Sequence, residues 1–101
     1  MQAHKTGQRP PRKAAEMLAI QALGFIAEQP QSLGRFLEAS GIAPEQIRTA
    51  AREPGFLAGV LGHMLGDEKL LIAFAQSAGI DATEVARAAH ALGGHWEPDL
   101  P

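Results

Sequence analysis

The chain has no cysteine among its 101 residues. It can therefore form no disulfide scaffold or thiolate zinc site, and it has no cysteine nucleophile. Aromatic residues are scarce, with four Phe and one Trp, whereas alanine occurs 19 times. The longest uninterrupted apolar run, Leu70 to Ala75, is six residues, against the ~20 that a membrane-crossing helix needs. Basic residues near the start precede no apolar signal core, because Pro10 and Pro11 interrupt the segment before Ala14. These absences predict a cytoplasmic protein that does not enter a membrane.

Motifs that carry chemistry are equally sparse. No Gly-x4-Gly-Lys-Ser/Thr phosphate loop is present, and no Gly-x-Gly-x-x-Gly opens a helix after a strand. Ser32, Ser40 and Ser77 fall at helix starts or ends, outside any Gly-x-Ser-x-Gly context. His90 and His95 stand five apart across Gly93-Gly94, and His4 lies near the start. Zinc sites usually draw three or four ligands from ordered elements, so no metal and no cofactor is expected.

Charge is unevenly placed. Lys5, Arg9, Arg12 and Lys13 put four positive charges in the first 13 residues, where there is no acid. The remaining residues carry five basic and eleven acidic side chains, so the body is acidic and the net charge is −2. An acidic body repels phosphate at long range, which disfavours nucleic acid as a partner of the fold itself. Residues 1–13 read as a flexible basic arm, broken by Gly7 and two prolines. Weak nucleic-acid association through this arm is one functional alternative, although it has no aromatic residue to stack on a base.

From Ala14 to the end the chain reads as one all-α domain, a compact bundle of about six short helices with a tail at residues 95–101. In the first helix Leu18, Ala22, Phe25, Ile26 and Gln29 form a stripe that Met17 and Ile20 widen, and Pro11 and Pro30 bracket it. The second carries Leu33, Phe36, Leu37 and Ser40 on one side and ends at Gly41, a residue suited to a left-handed helix stop. Pro44 opens the third, with Gln46 near its N3 position and Ile47, Ala50 and Ala51 inward. The fourth starts at Pro54 and is apolar on nearly every side, which suits the centre of a bundle.

Gly55, Gly59, Gly62 and Gly66 recur along this fourth helix at intervals of four, three and four. An interior glycine costs about 0.5–1 kcal/mol against alanine, so the stripe predicts a neighbouring backbone packed unusually close. Asp67 is placed to cap the fifth helix, which buries Leu70, Leu71, Phe74 and Ala78 and stops at Gly79. Asp81 and Glu84 mark the start of the sixth, which offers Val85, Ala88, Ala89 and Leu92.

A shift of 38 residues lays Leu23, Gly24, Leu33, Phe36, Gly41, Ile42, Ala50 and Ala51 on identical residues at 61, 62, 71, 74, 79, 80, 88 and 89. Leu18 also meets Phe56, Ile26 meets Met64 and Ile47 meets Val85. The matches fall on core and cap positions, which predicts two three-helix units in tandem. Neither unit is large enough to close its own core, so they should pack through helices one and four.

The segments Gly41-Ile42, Phe56-Leu57-Ala58-Gly59-Val60-Leu61 and Asp67-Glu68-Lys69-Leu70-Leu71 resemble a family of small bacterial proteins. That family, mostly alphaproteobacterial, is filed as a domain of unknown function, and the likeness covers residues 14–101. The resemblance implies an all-helical fold near 100 residues and a bacterial source. It supplies no catalytic residue, ligand or partner. The Phe36-x4-Gly41-Ile42 turn is also similar to the three-helix ubiquitin-associated domains.

Three groups of residues stand out as candidate interaction or ligand sites. His63 is the one polar side chain in the apolar stretch of helix four, and Asp67 follows at i+4, where a carboxylate could orient the ring for base or ligand chemistry. Against that, Gly66 interrupts the helix between them and Asp67 is needed as a cap, so a structural histidine is the plainer reading. Arg48 and Arg52 share one face of helix three, where Glu45 and Glu53 are near enough to neutralise them. Trp96 either folds back as a plug or anchors a partner.

With no reaction-bearing constellation, the sequence reads as a non-catalytic protein-interaction module, a small adaptor or regulator that binds a partner protein or itself. The main alternative is a small enzyme or ligand binder with His63 in an apolar pocket. A pocket of several hundred Å³ converging on His63 would support that alternative.

Overall fold

The computed structural model describes residues 12–93. His95, Trp96 and most of the basic arm lie outside the described residues. The described chain forms six α-helices in order: α1 (Arg12–Ala27), α2 (Pro30–Ser40), α3 (Ile47–Ala50), α4 (Pro54–Leu65), α5 (Glu68–Ala78) and α6 (Ala82–Ala91). A single 3-10 turn, Pro44–Gln46, leads into α3. The fold is an all-α bundle.

Local chemistry sets most of the boundaries. Pro30, Pro44 and Pro54 each occupy the first turn of their element, where no backbone N–H donor is needed. Pro30 thus opens α2, while α1 has already ended at Ala27. Gly41 and Gly79 end α2 and α5 in the left-handed region, with φ of 76° and 71°. A side chain there would strain the backbone, so glycine is the natural stop. The Gln46 side-chain oxygen accepts from the Ala43 N–H at 2.9 Å, fixing the 3-10 turn. Asp81 precedes α6 in extended backbone, but the cap is made by its main-chain carbonyl, which accepts from the Glu84 N–H at 3.0 Å.

Helices α1 and α4 are central, and α6 joins them: these three make the most extensive mutual contacts, with α2 laid on α1 and α5 on α4. The core they share is built from small and medium side chains. Ala15, Ala19, Ala22, Leu23 and Ile26 come from α1, Leu57, Ala58, Val60, Leu61 and Met64 from α4, and Val85, Ala88 and Ala89 from α6. Alanine at the α1 and α6 positions permits the close helix approach that larger residues would prevent. Phe36, Leu70 and Phe74 close the two flanks.

Three expectations about helix faces are corrected. Met17 and Ile20 do not widen the buried side of α1 but stand 62% and 49% exposed, because the alanines turn inward in their place. In α5 Ala78 is exposed and Ala75 is buried. In α4 Val60 does run through the interior, yet Gly55, Gly59 and Gly66 are exposed. A Cβ added at Gly55 or Gly59 meets nothing within 4 Å, so these glycines face open space and no backbone packs on them.

This reverses the expected effect of substitution. Gly59→Ala should stabilise the fold by about 0.5–1 kcal/mol, through helix propensity with no clash. A thermal melt should then rise by about 2–8 °C. A fall would mean that something packs on Gly59 after all.

The 38-residue repeat has a structural counterpart. Phe25 packs on Phe74 with ring centroids 5.5 Å apart, and Phe36 packs on His63 at 5.3 Å. The shift carries Phe25 to His63 and Phe36 to Phe74, so the two contacts are equivalent. Each joins the first helix of one unit to the second helix of the other. The correspondence fails at the third helix: α6 lies in the core, whereas α3 has only four residues and none is fully buried.

Candidate functional site

Helices α2 and α4 form a trough of about 420 Å³ lined by Phe36, Ala39, Ser40, Gly55, Phe56, Gly59 and His63. Positions 36, 39 and 40 lie on one face of α2, at helical spacings of three and one. Positions 55, 59 and 63 recur every fourth residue along α4, so they too share a face. Phe36 is the buried anchor, meeting Phe56 edge-on at 5.7 Å and His63 at 5.3 Å. His63 is half-buried at the trough wall with its ring set at 78° to that of Phe36.

The other polar groups near the trough are already engaged. Ser40 Oγ donates to the Leu37 carbonyl at 3.4 Å. Asp67 Oδ1 accepts from the Leu70 N–H at 3.2 Å and so caps α5, while Oδ2 lies 3.6 Å from Arg35 Nη1. Gly66 ends α4 between His63 and Asp67. The structure therefore joins Asp67 to Leu70 and Arg35, and sets His63 against an aromatic ring.

The equivalent trough in the other half lies between α1 and α5. It is smaller, at about 290 Å³, and is lined by Gln21, Gly24, Phe25, Glu28, Phe74, Ser77 and Ala78. Under the 38-residue shift, Phe36, Ala39 and Ser40 match Phe74, Ser77 and Ala78, while Gly59 and His63 match Gln21 and Phe25. The side chains that occupy the α1/α5 trough are thus missing or smaller on α4. Gly59 in place of Gln21 and Gly55 in place of Met17 are where the α4 side of the trough carries least.

The family model described as Protein of unknown function (DUF3572) matches residues 12–95. The chain belongs to that family. The DUF3572 span contains all six helices and both troughs, and it begins where α1 begins. No curated protein and no solved structure matches the chain.

The remaining sequence candidates fall elsewhere. Arg48 and Arg52 are exposed, do not line the trough, and form no ion pair with Glu45 or Glu53. Among the described residues no three His, Cys, Asp or Glu side chains cluster as a metal site would require, and no helix is long and apolar enough to cross a membrane. Phe36, Ala39, Phe56 and Gly59 complete the lining but carry no chemical signal of their own in the sequence. Comparing residues 17 and 21 with 55 and 59 under the shift would have flagged the opened positions, since there Met17 and Gln21 meet glycine.

Proposed function

We propose that this chain is a non-catalytic protein-interaction module of the bacterial cytoplasm, and that the α2/α4 trough receives an apolar helical segment of a partner protein. One observation carries the reading: where the two halves of the repeat differ, α4 presents Gly55 and Gly59 to open space in a trough that Phe36 and Phe56 also line. A helix floor without side chains lets an incoming helix approach closely, and the half-buried Phe56 offers an apolar surface beside it. The acidic body favours a partner helix whose polar side is basic. A bacterial source rests on the family resemblance, and a cytoplasmic location on the cysteine-free composition.

A second reading has its own support, because a trough of this volume with His63 in its wall also suits a small apolar ligand that accepts or donates one hydrogen bond. The trough is open along its outer side and holds no second group positioned to act with His63, which favours a docked helix over chemistry. A photocrosslinking residue at Ala39, introduced in the native cells, separates the two. Protein adducts should map to a segment with apolar residues at intervals of three and four, and should vanish with Gly59→Leu, which fills the trough without disturbing the core. Adducts that survive Gly59→Leu would defeat the docking reading. A small molecule retained in native mass spectra and lost with Gly59→Leu would replace it with the ligand reading.

A further inference from the structure

The exposed side of α1 carries an apolar seam that no other element covers among the described residues. Met17, Ile20, Gly24 and Ala27 recur at intervals of three, four and three, and all four are exposed. This is the a/d spacing of helices that pair along their length. None of the four lines the α2/α4 trough, so the seam is a separate surface.

Its composition is graded. The N-terminal half presents two large side chains, while Gly24 and Ala27 present almost none, and a Cβ at Gly24 would meet nothing within 4 Å. In an antiparallel pair of such helices, the register that sets Met17 opposite Ala27 also sets Ile20 opposite Gly24. Large residues then fill the spaces left by small ones, twice over, around a two-fold axis.

Charge points the same way. The first turn of α1 contains Arg12 and Lys13 and no acid, its last turn has no base, and Glu28 follows directly. Both ends thus oppose the helix's own dipole. An antiparallel neighbour reverses this: Lys13 comes within a turn of the other copy's Glu28, and each basic end meets the negative end of the opposing helix. Neither Lys13 nor Glu28 forms an ion pair among the described residues.

We propose that two copies of this chain associate through antiparallel α1 helices, with Met17 and Ile20 of each seated on Gly24 and Ala27 of the other. A lipid surface fits less well, since Gly24 and Ala27 would add little to insertion. A helix of 16 residues is about 24 Å long, and a pair of that length falls short of the ~1,200 Å² typical of stable interfaces. The association is therefore of the weak, transient kind.

Sedimentation equilibrium of the full chain, from roughly 10 µM to 1 mM, tests this. The chain should shift from monomer to dimer, and Ile20→Glu should weaken the dimer at least about tenfold while its helical melt stays unchanged. Lys13→Glu and Glu28→Lys should each weaken it about tenfold, because the pair occurs twice per dimer, and the two changes together should restore it to within about threefold. Gly59→Leu should leave it unaffected, so the result stands apart from that for the trough. A monomer throughout, a dimer indifferent to Ile20→Glu, or a double swap no better than the single ones would overturn the proposal. So would a monomer that sediments with phosphatidylglycerol vesicles, which would assign the seam to lipid.

Discussion

Leu61→Ala is expected to lower stability by about 2–5 kcal/mol, from the transfer energy of the lost side chain plus the cavity left behind. Leu61 is completely buried in the middle of α4, the helix that touches both α1 and α6. Its neighbours cannot collapse easily, because α4 is held on two sides by helices that also pack on each other. A small domain has about 5–15 kcal/mol in total, so the variant should melt at least about 10 °C lower in circular dichroism. Ile72→Ala is the control: Ile72 is 45% exposed, and removing the same number of carbon atoms there should cost far less. If the two variants melted alike, the assignment of α4 to the centre would be wrong.

Ala22→Leu should be destabilising by about 1–3 kcal/mol, although leucine is nearly as good a helix former as alanine. Ala22 has no accessible surface and belongs to the seam where α1 meets the core. The added atoms have no space, so either α1 moves away from α4 and α6 or neighbouring side chains leave their preferred rotamers. Ala73→Leu, on the exposed side of α5, should be almost neutral. The contrast between these alanines, together with the opposite sign expected for Gly59→Ala, tests which faces are turned inward. A melt of Ala22→Leu at or above that of the parent chain would contradict the close packing of α1.

The distribution of polar groups explains why the site was only partly legible. His63 stood out in the sequence because it interrupts an apolar stretch, and it does line the trough. Its companions did not stand out, since phenylalanine, alanine and glycine at helical spacing look like core. Asp67 drew notice for its position four residues on, but the helix it caps has the first claim on its carboxylate. Trp96, at residue 96, lies outside the described residues.

The sequence by itself determined where helices begin and end, because proline and glycine act through their own backbone geometry within one turn. Pro30, Pro44 and Pro54 start elements, and Gly41 and Gly79 stop them, whatever lies beyond. It also determined the inward faces of α2 and α6, where charged and apolar residues segregate clearly. Only the tertiary structure decided that Met17 and Ile20 of α1 stay outside and that Gly55 and Gly59 of α4 face open space. Alanine and glycine differ too little from one another in burial energy to orient a helix that is apolar or small-residued all round. There, packing against neighbouring helices chooses the face, and Gly55 and Gly59 of α4 are left looking outward.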